Sequence, residues 1–401
     1  MPSDWFKRWE NIIVLFIALL LLVLHLVTAT QTNKPIFDEH FYIEEANAII
    51  DGEELAYPEH TPLAKLIIAS SITIFGDKPL TWRIYPILFG IASIILFYLI
   101  CQKLTKNKYL PLIATSILAF ENQCFVLSNI AMLDVFGFAL MLASFLLYLH
   151  NRYMLSGVLL ALAALAKLTS VFGGVVILLH WLMTRRNDKR EVGRFLFAAP
   201  LAFLILMPFF DYLAMGEFFS PWDRIDYMFT TLGANTFDDA GPGVLLMISH
   251  PWDWILSPKP IPSPLDASYH FGASWTLWAL IIPAMTYIMY EAIKQKWDSL
   301  CTFAFLWFAG TYLIWIPIYF VSDRIMFRFY FYPAIGAICL ALGYAICKLL
   351  SFASQRSNMK SRWTIRALLM IWGIAHIVTF WVMSPAGFGW VPDSWRLGCL
   401  V

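Results

Sequence analysis

Charged residues are scarce in this chain, and the scarcity sets its class. Only 14% of the 401 residues are charged and 60% are hydrophobic, whereas soluble domains carry roughly 25% charged residues. The mean hydropathy is +0.68. The composition excludes an ordinary soluble protein and indicates an all-α polytopic membrane protein.

Signatures of metal, disulfide and nucleotide sites are also missing. The six cysteines stand singly, mostly within apolar runs, so we expect neither a disulfide framework nor a zinc site. No glycine-rich phosphate loop follows a strand, and neither an HExxH nor a GxSxG motif occurs. We therefore expect no metal and no resident cofactor. A nucleotide-sugar donor would need a soluble nucleotide-binding domain, which is not evident, so any sugar donor should itself be a lipid.

Long apolar runs dominate the chain and predict about 11 transmembrane helices in a single membrane domain, residues 1–401. Lys167 divides a stretch, 153–183, that is short for two spans. The expected spans are 12–30, 81–101, 109–128, 131–149, 153–167, 168–183, 194–213, 272–291, 299–319, 326–347 and 363–383.

One further apolar segment, 62–76, decides the topology. If it crossed the bilayer, the basic stretches 103–108 and 185–194 would lie outside, against the preference of such stretches for the cytoplasm. We predict that it does not cross, so that loops 31–80 and 214–271 are both external. Each of these loops is expected to carry an interfacial helix.

The unexplained polar residues then converge on the external face. Lys167 and Glu121 are among them, and so are the acids and cations discussed below. Intramembrane transporter sites lie near the midplane between repeated halves, and this chain shows no repeat. The pattern favours an active site at the outer bilayer surface.

Two acids open the first external loop. Asp38 is suited to cap a helix over 39–50, and it is equally suited to act as a general base beside a lipid-bound substrate. The two roles are compatible, because a cap position fixes a carboxylate in space. Glu39 follows directly.

Four cations and one further acid complete the set of candidates. Lys65, after His60, either extends towards the interface or holds an anionic headgroup together with Arg83. Asp134 lies in the first turn of a span, where the helix dipole tolerates an acid, so structural and functional roles weigh equally. Two cations of the external face, Arg324 and Arg328, are near Asp323, which is a suitable ion-pair partner.

Four segments, in order, resemble motifs of the protein O-mannosyltransferases that use dolichyl-phosphate-mannose. The family motifs are an Asp-Glu start of the first lumenal loop, a His-Pro-Pro-Leu-Gly-Lys turn, a Ser-(Arg)-Pro-Trp-x-Trp stretch and an Arg-x-x-Phe run. The corresponding segments are Phe37-Asp38-Glu39, His60-Thr61-Pro62-Leu63-Ala64-Lys65, Ser249-His250-Pro251-Trp252-Asp253-Trp254 and Arg324-Ile325-Met326-Phe327.

The resemblance implies a GT-C glycosyltransferase fold and transfer of a hexose, mannose above all, from a polyprenyl- or dolichyl-phosphate donor to a protein Ser or Thr hydroxyl with inversion. It implies that Asp38 is the base, that Glu39 assists, and that Arg83 and Lys65 handle the donor phosphate. The remaining candidates, His60, Asp134, Arg324 and Arg328, are assigned to substrate binding.

The chain departs from the family pattern, and two alternatives stay open. Thr61 and Ala64 replace a proline and a glycine, His250 stands where arginine is common, and the β-trefoil domain of eukaryotic members is missing. The missing β-trefoil domain favours the plasma membrane of an archaeon or bacterium over the endoplasmic reticulum. The alternatives are a lipid-donor transferase with a glycan or lipid acceptor, and a transporter. Expected partners are the lipid donor, the acceptor and membrane lipids, without nucleic acid; a dimer is left open.

Overall fold

A computed structural model describes residues 8–185, 189–233, 236, 247–263, 266, 268–297, 300–322 and 324–387. These residues form a helical bundle with one two-stranded antiparallel ribbon. The helices are α1 Trp9–Ala29, α2 Glu39–Asp51, α3 Pro62–Phe75, α4 Pro79–Leu104, α5 Tyr109–Ala119, α6 Asn122–Ser128, α7 Leu133–Leu149, α8 Tyr153–Ala166, α9 Phe172–Thr184, α10 Lys189–Met215, α11 Pro221–Gly233, α12 Asp253–Leu256, α13 Trp275–Trp278, α14 Ile281–Lys294, α15 Leu300–Phe308, α16 Trp315–Ser322, α17 Tyr332–Gln355 and α18 Met359–Met383; the strands are β1 Ile261–Pro262 and β2 His270–Phe271.

Six helical stretches of the described residues are long and apolar enough to span a membrane, and a seventh results if α5 and α6, bent by 65°, count as one span. Other apolar helices, among them α7 and α8, have fewer than 18 residues. The expected number of 11 is therefore not confirmed by helix length. One of the expected spans is short for a local reason: the backbone becomes extended at Lys167, and α8 ends there.

Helix α7 forms the centre of the bundle and positions the polar residues of its first turn. It packs against α4 and α8, and most of its side chains are buried. At Gly137 the neighbouring chain comes so close that an added Cβ would lie 2.3 Å from the Ser170 hydroxyl oxygen and 2.8 Å from Cβ of Lys167. The absence of a side chain at Gly137 thus allows the Lys167 segment to lie against the start of α7.

The predicted helices of the two loops are present. Helix α2 begins at Glu39 as expected, and α3 is 14 residues long, or about 21 Å, against a hydrocarbon core of about 30 Å. Helix α11 buries Arg224 and Met228 while Trp222 and Phe229 are 70% and 65% exposed, an arrangement typical of an interfacial helix. That α3 does not cross the bilayer remains a prediction.

Candidate active site

Phe37 shapes the approach of the chain to the acid pair. Its φ of 55° lies in the left-handed region, which is costly for a bulky residue. The ring is buried and lies 4.5 Å from the ring of Phe271 and 5.5 Å from that of Phe329, centroid to centroid. His40 Nδ1 lies 2.7 Å from the Phe37 carbonyl oxygen and donates a hydrogen bond to it. Packing and hydrogen bonding together hold the turn that presents Asp38.

Glu39 and Arg83 bind each other and have a structural role. The guanidinium of Arg83 donates from Nε to Glu39 Oε1 at 2.9 Å and from Nη2 to Oε2 at 2.7 Å. Its other N–H groups donate to the carbonyls of Ala29, Thr32 and Lys34. Both side chains are fully buried.

This geometry corrects two expectations. Glu39 also accepts hydrogen bonds from the backbone amides of Ile36 and Ala131 at 2.8 and 2.9 Å, so its oxygens are saturated and it cannot assist Asp38 chemically. Arg83 has its guanidinium donors engaged by protein groups, so it does not offer them to a donor phosphate. The pair instead ties the first loop to α4 and to the chain before α7.

Lys65 requires the same correction. Its Nζ donates to Glu45 Oε2 at 2.5 Å and to the Tyr57 carbonyl oxygen at 2.6 Å, and its side chain has no exposed surface. Glu45 in turn accepts from the Tyr57 amide at 2.8 Å. Lys65 therefore holds the segment before His60 against α2 rather than binding a headgroup.

Asp38 differs from these residues, because its carboxylate stays available. It occupies the position before α2 but makes no side-chain cap hydrogen bond, so the capping role predicted for it is not seen. Burial raises the pKa of the Asp38 carboxyl to about 6, with Lys167 lowering the pKa and Asp134 raising it. An available carboxylate with a pKa close to neutral is suited to general-base catalysis.

Asp134 and Lys167 form an ion pair beside Asp38. Lys167 Nζ lies 3.2 Å from Asp134 Oδ2 and 5.5 and 5.8 Å from the ring centroids of Phe329 and Tyr330. Lys167 was absent from the expected substrate-binding set, although its interruption of an apolar run was the signal that could have placed it there. The break lets the lysine leave the helix and face the first turn of α7.

His60 and Arg324 border the same cluster. Burial, followed by the charges of Lys167, Lys65 and Arg324, lowers the pKa of His60 well below its usual value, so the imidazole is neutral at pH 7. The ring centroid of His60 lies 5.9 Å from that of Tyr42. Arg324 is half-buried, and its Nε makes no hydrogen bond to any described residue. Asp323, its expected partner, lies outside the described residues.

Arg328 lies with the third motif rather than with the acid cluster. Its Nη1 donates to the Ser257 carbonyl at 2.9 Å, just after the segment in which the Trp254 indole donates to Ser249 Oγ at 2.9 Å. The Arg328 side chain is buried, and its Nε has no partner among the residues that the structure describes. Electrostatic interactions thus link Asp38 with Asp134 and Lys167, and His60 with Lys167 and Arg324. The other expected site residues, Glu39, Arg83, Lys65 and Arg328, bind protein groups.

Solved structures share this fold over nearly the whole chain. The protein O-mannosyltransferase complex of S. cerevisiae bound to the sugar donor matches with a TM-score of 0.72 and 14% identity, over 96% of this chain and 90% of that one. ArnT from Cupriavidus metallidurans bound to undecaprenyl phosphate matches with a TM-score of 0.61 and 16% identity, over 94% and 71%. The chain therefore has the GT-C fold of polytopic membrane glycosyltransferases.

Part of the chain is similar in sequence to one family. The family described as dolichyl-phosphate-mannose-protein mannosyltransferase matches residues 68–220, a stretch that contains Arg83, Asp134 and Lys167 but begins after Asp38. The match agrees with the resemblance to this family, and the four motif segments lie outside the matched residues.

Curated relatives bear names of the same kind. The polyprenol-phosphate-mannose–protein mannosyltransferase of Mycolicibacterium smegmatis is 28% identical over 158 residues, which are 38% of this chain and 31% of the relative. The protein of that name from Corynebacterium glutamicum is 32% identical over 123 residues, 28% of this chain and 24% of the relative. The matches thus span under a third of the length of these relatives.

Proposed function

We propose that this protein transfers a hexose, mannose in the first place, from a polyprenyl- or dolichyl-phosphate donor to a Ser or Thr hydroxyl of a protein. The names of the relatives support the donor and the acceptor. The observation that carries the proposal is the Asp38 carboxylate, uncommitted to any cap and electrostatically coupled to the Lys167–Asp134 pair.

In the proposed reaction Asp38 accepts the proton of the acceptor hydroxyl as that oxygen forms a bond to the anomeric carbon. The bond from this carbon to the phosphate oxygen breaks, and its electron pair leaves with the lipid phosphate. Attack opposite the leaving group inverts the anomeric centre. Atoms and charge balance, because the proton ends on Asp38 and the negative charge on the phosphate.

Lys167 is assigned to stabilise the leaving phosphate, together with Arg324. Lys167 is mostly buried, and its partner Asp134 holds it by a single contact of 3.2 Å, which leaves ammonium protons for a second anion. Arg324 contributes an Nε without a partner among the described residues. Charge-assisted hydrogen bonds in a partly buried site stabilise a developing phosphate charge strongly. The proposal requires no metal, so a chelator should leave the rate unchanged.

The proposal also includes a side of the membrane. The acid cluster would face the outside of an archaeal or bacterial plasma membrane, where translocated proteins and lipid-linked sugars meet. The basic stretches on the opposite side support this orientation.

The experiment is transfer of radiolabelled mannose in membranes that contain the full chain. We expect label to pass from polyprenyl-phosphate-mannose to a Ser/Thr peptide, but not to the matched peptide with Ala at each hydroxyl position, and not from GDP-mannose in membranes freed of polyprenyl phosphate. Label appearing on glycans or lipids and not on peptide would assign the alternative acceptor. An absence of transfer from the lipid donor to any acceptor would reject the proposal.

A further inference from the structure

A polar cavity lies at the end of the bundle away from the acid cluster. It has a volume of about 240 Å³ and is lined by Lys103, His180, Thr184 and Arg185 together with three leucines. Lys103 follows Arg83 by twenty residues on helix α4, which corresponds to about 30 Å along the helix axis. The cavity is therefore separate from the proposed active site.

The charged groups of this cavity are of one sign. Lys103 and Arg185 line it, and no carboxylate is among its lining residues. Arg185 is held in place by neutral groups: its Nη1 donates to Asn151 Oδ1 at 2.5 Å, and its guanidinium carbon lies 5.3 Å from the centroid of the Tyr148 ring. Neither cation is paired with an acid within the described residues.

Hydrogen bonds hold His180 in place on one wall of the cavity. Its Nδ1 lies 2.7 Å from the Tyr148 hydroxyl, which holds the ring, and the Thr184 hydroxyl donates to the His180 carbonyl at 2.7 Å. Tyr148 thus contacts both His180 and Arg185, so one buried phenol orients two lining side chains. Such preorganisation lowers the entropy cost of binding a ligand.

Two simpler explanations account for part of this arrangement. Cations favour the C-terminal ends of helices, and Lys103 and Arg185 lie at the ends of α4 and α9. Basic residues also favour the cytoplasmic side. Neither effect requires the two cations to share a concave cavity with an oriented histidine, in a chain where only 14% of residues are charged.

We propose that this cavity binds a phosphate group at the cytoplasmic surface of the membrane. Two cations around a cavity of this size suit a phosphate mono- or diester, because the ammonium of Lys103 and the guanidinium of Arg185 can donate charge-assisted hydrogen bonds to phosphate oxygens. The same chemistry has two sources, the headgroup of an anionic phospholipid or a soluble phosphate. Neither source requires the transferase activity, so the inference stands independently of it.

Binding to the purified full chain in neutral detergent tests the proposal. Native mass spectrometry would measure bound phosphatidylglycerol against phosphatidylcholine, and titration with inorganic phosphate would test for competition. We expect phosphatidylglycerol to bind better than phosphatidylcholine, and Lys103→Gln to weaken its binding by roughly tenfold or more, the loss typical of one charge-assisted hydrogen bond. Lys106→Gln, which removes an exposed cation of the neighbouring loop, is the matched control and should bind as the wild type does.

The arms of the experiment distinguish the sources and can overturn the idea. Competition by inorganic phosphate assigns a general phosphate site, and binding of the lipid without competition assigns a headgroup site. Because Lys103 is exposed, its replacement should leave the fold intact. Phosphatidylglycerol binding by Arg185→Lys, which keeps the charge, and by Arg185→Gln, which removes it, shows whether the charge of Arg185 is required; circular dichroism checks that both variants are folded. Equal binding by wild type and Lys103→Gln, or no preference for phosphatidylglycerol together with no phosphate binding, would refute the site.

Discussion

Arg83 and Glu39 form a two-point ion pair, with N–O distances of 2.9 and 2.7 Å, between side chains that have no exposed surface. Glu39 follows Asp38 directly in the chain, but its side chain is buried in the bundle together with that of Arg83. The pair joins α4 to the loop that carries the proposed base. The ion pair with Glu39 is sufficient reason for an arginine at the start of this span, and no bound phosphate is needed to explain it.

Removing one partner of this pair should destabilise the protein. Glu39→Gln or Arg83→Met leaves an unpaired buried group, and such losses cost about 3–5 kcal/mol. Thermal unfolding in detergent should show this, and the double variant Glu39→Gln/Arg83→Met should recover part of the stability. If Arg83→Met were as stable as the wild type and had a raised KM for the lipid donor, Arg83 would instead be assigned to donor binding.

Replacing the proposed base should abolish transfer without unfolding the chain. Asp38→Asn removes a carboxylate that makes no cap hydrogen bond, so we expect a loss of about 10²–10⁴-fold in kcat, the usual contribution of a general base, with an unchanged unfolding temperature. Asp51→Asn, at the exposed far end of the same helix, is the control and should retain activity. Equal activity in both variants would remove Asp38 from the mechanism.

The rate should depend on pH through Asp38. The base must be ionised, and burial raises the pKa of its carboxyl to about 6, so kcat/KM should be level above this pH and fall by about tenfold per pH unit below it. Lys167 lowers the pKa of Asp38 and Asp134 raises it.

Variants of the two charged residues near Asp38 test whether Asp38 is the group that titrates in the pH profile. Lys167→Met should move the acid limb to higher pH, and Asp134→Asn should move it to lower pH, whatever each does to the maximal rate. The position of the limb in kcat/KM profiles of the three proteins is the measurement. A limb that stays in place in both variants would mean that another group titrates.

The close approach at Gly137 should be required for activity. Gly137→Ala would place a Cβ 2.8 Å from Cβ of Lys167 and 2.3 Å from the Ser170 hydroxyl oxygen, so the lysine segment must move away from α7. We expect transfer to fall by more than stability accounts for, measured as kcat in protein that remains folded. Gly373→Ala, where an added Cβ meets nothing within 4 Å, should behave as the wild type.

The topology can be tested by labelling. In a background without the other cysteines, a cysteine introduced at exposed Lys78 should react with an impermeant maleimide from outside intact cells, and one at Lys106 should react only after lysis. Reaction of the cysteine at position 78 only after lysis, with the cysteine at position 106 reacting from outside, would show that α3 crosses the bilayer.

Several features were accessible from the sequence because they depend on local chemistry. The helix from Glu39 follows from its start signals. That Asp38, Asp134 and Arg324 share one site stays a prediction, based on the cost of placing charged groups in an apolar environment. The roles of Glu39, Arg83 and Lys65 were not accessible in this way. A buried arginine that pairs with a glutamate 44 residues away has the same local sequence as one that holds a ligand.

The sequence by itself determined a helical membrane protein with charges confined to few places, because a hydrocarbon solvent forces such a composition on any chain that crosses it. Only the tertiary structure decided which charges neutralise one another. That choice depends on which side chains the packed helices bring within hydrogen-bond distance: Arg83 and Lys65 find carboxylates of α2, whereas Asp38 keeps its oxygens uncommitted beside Lys167.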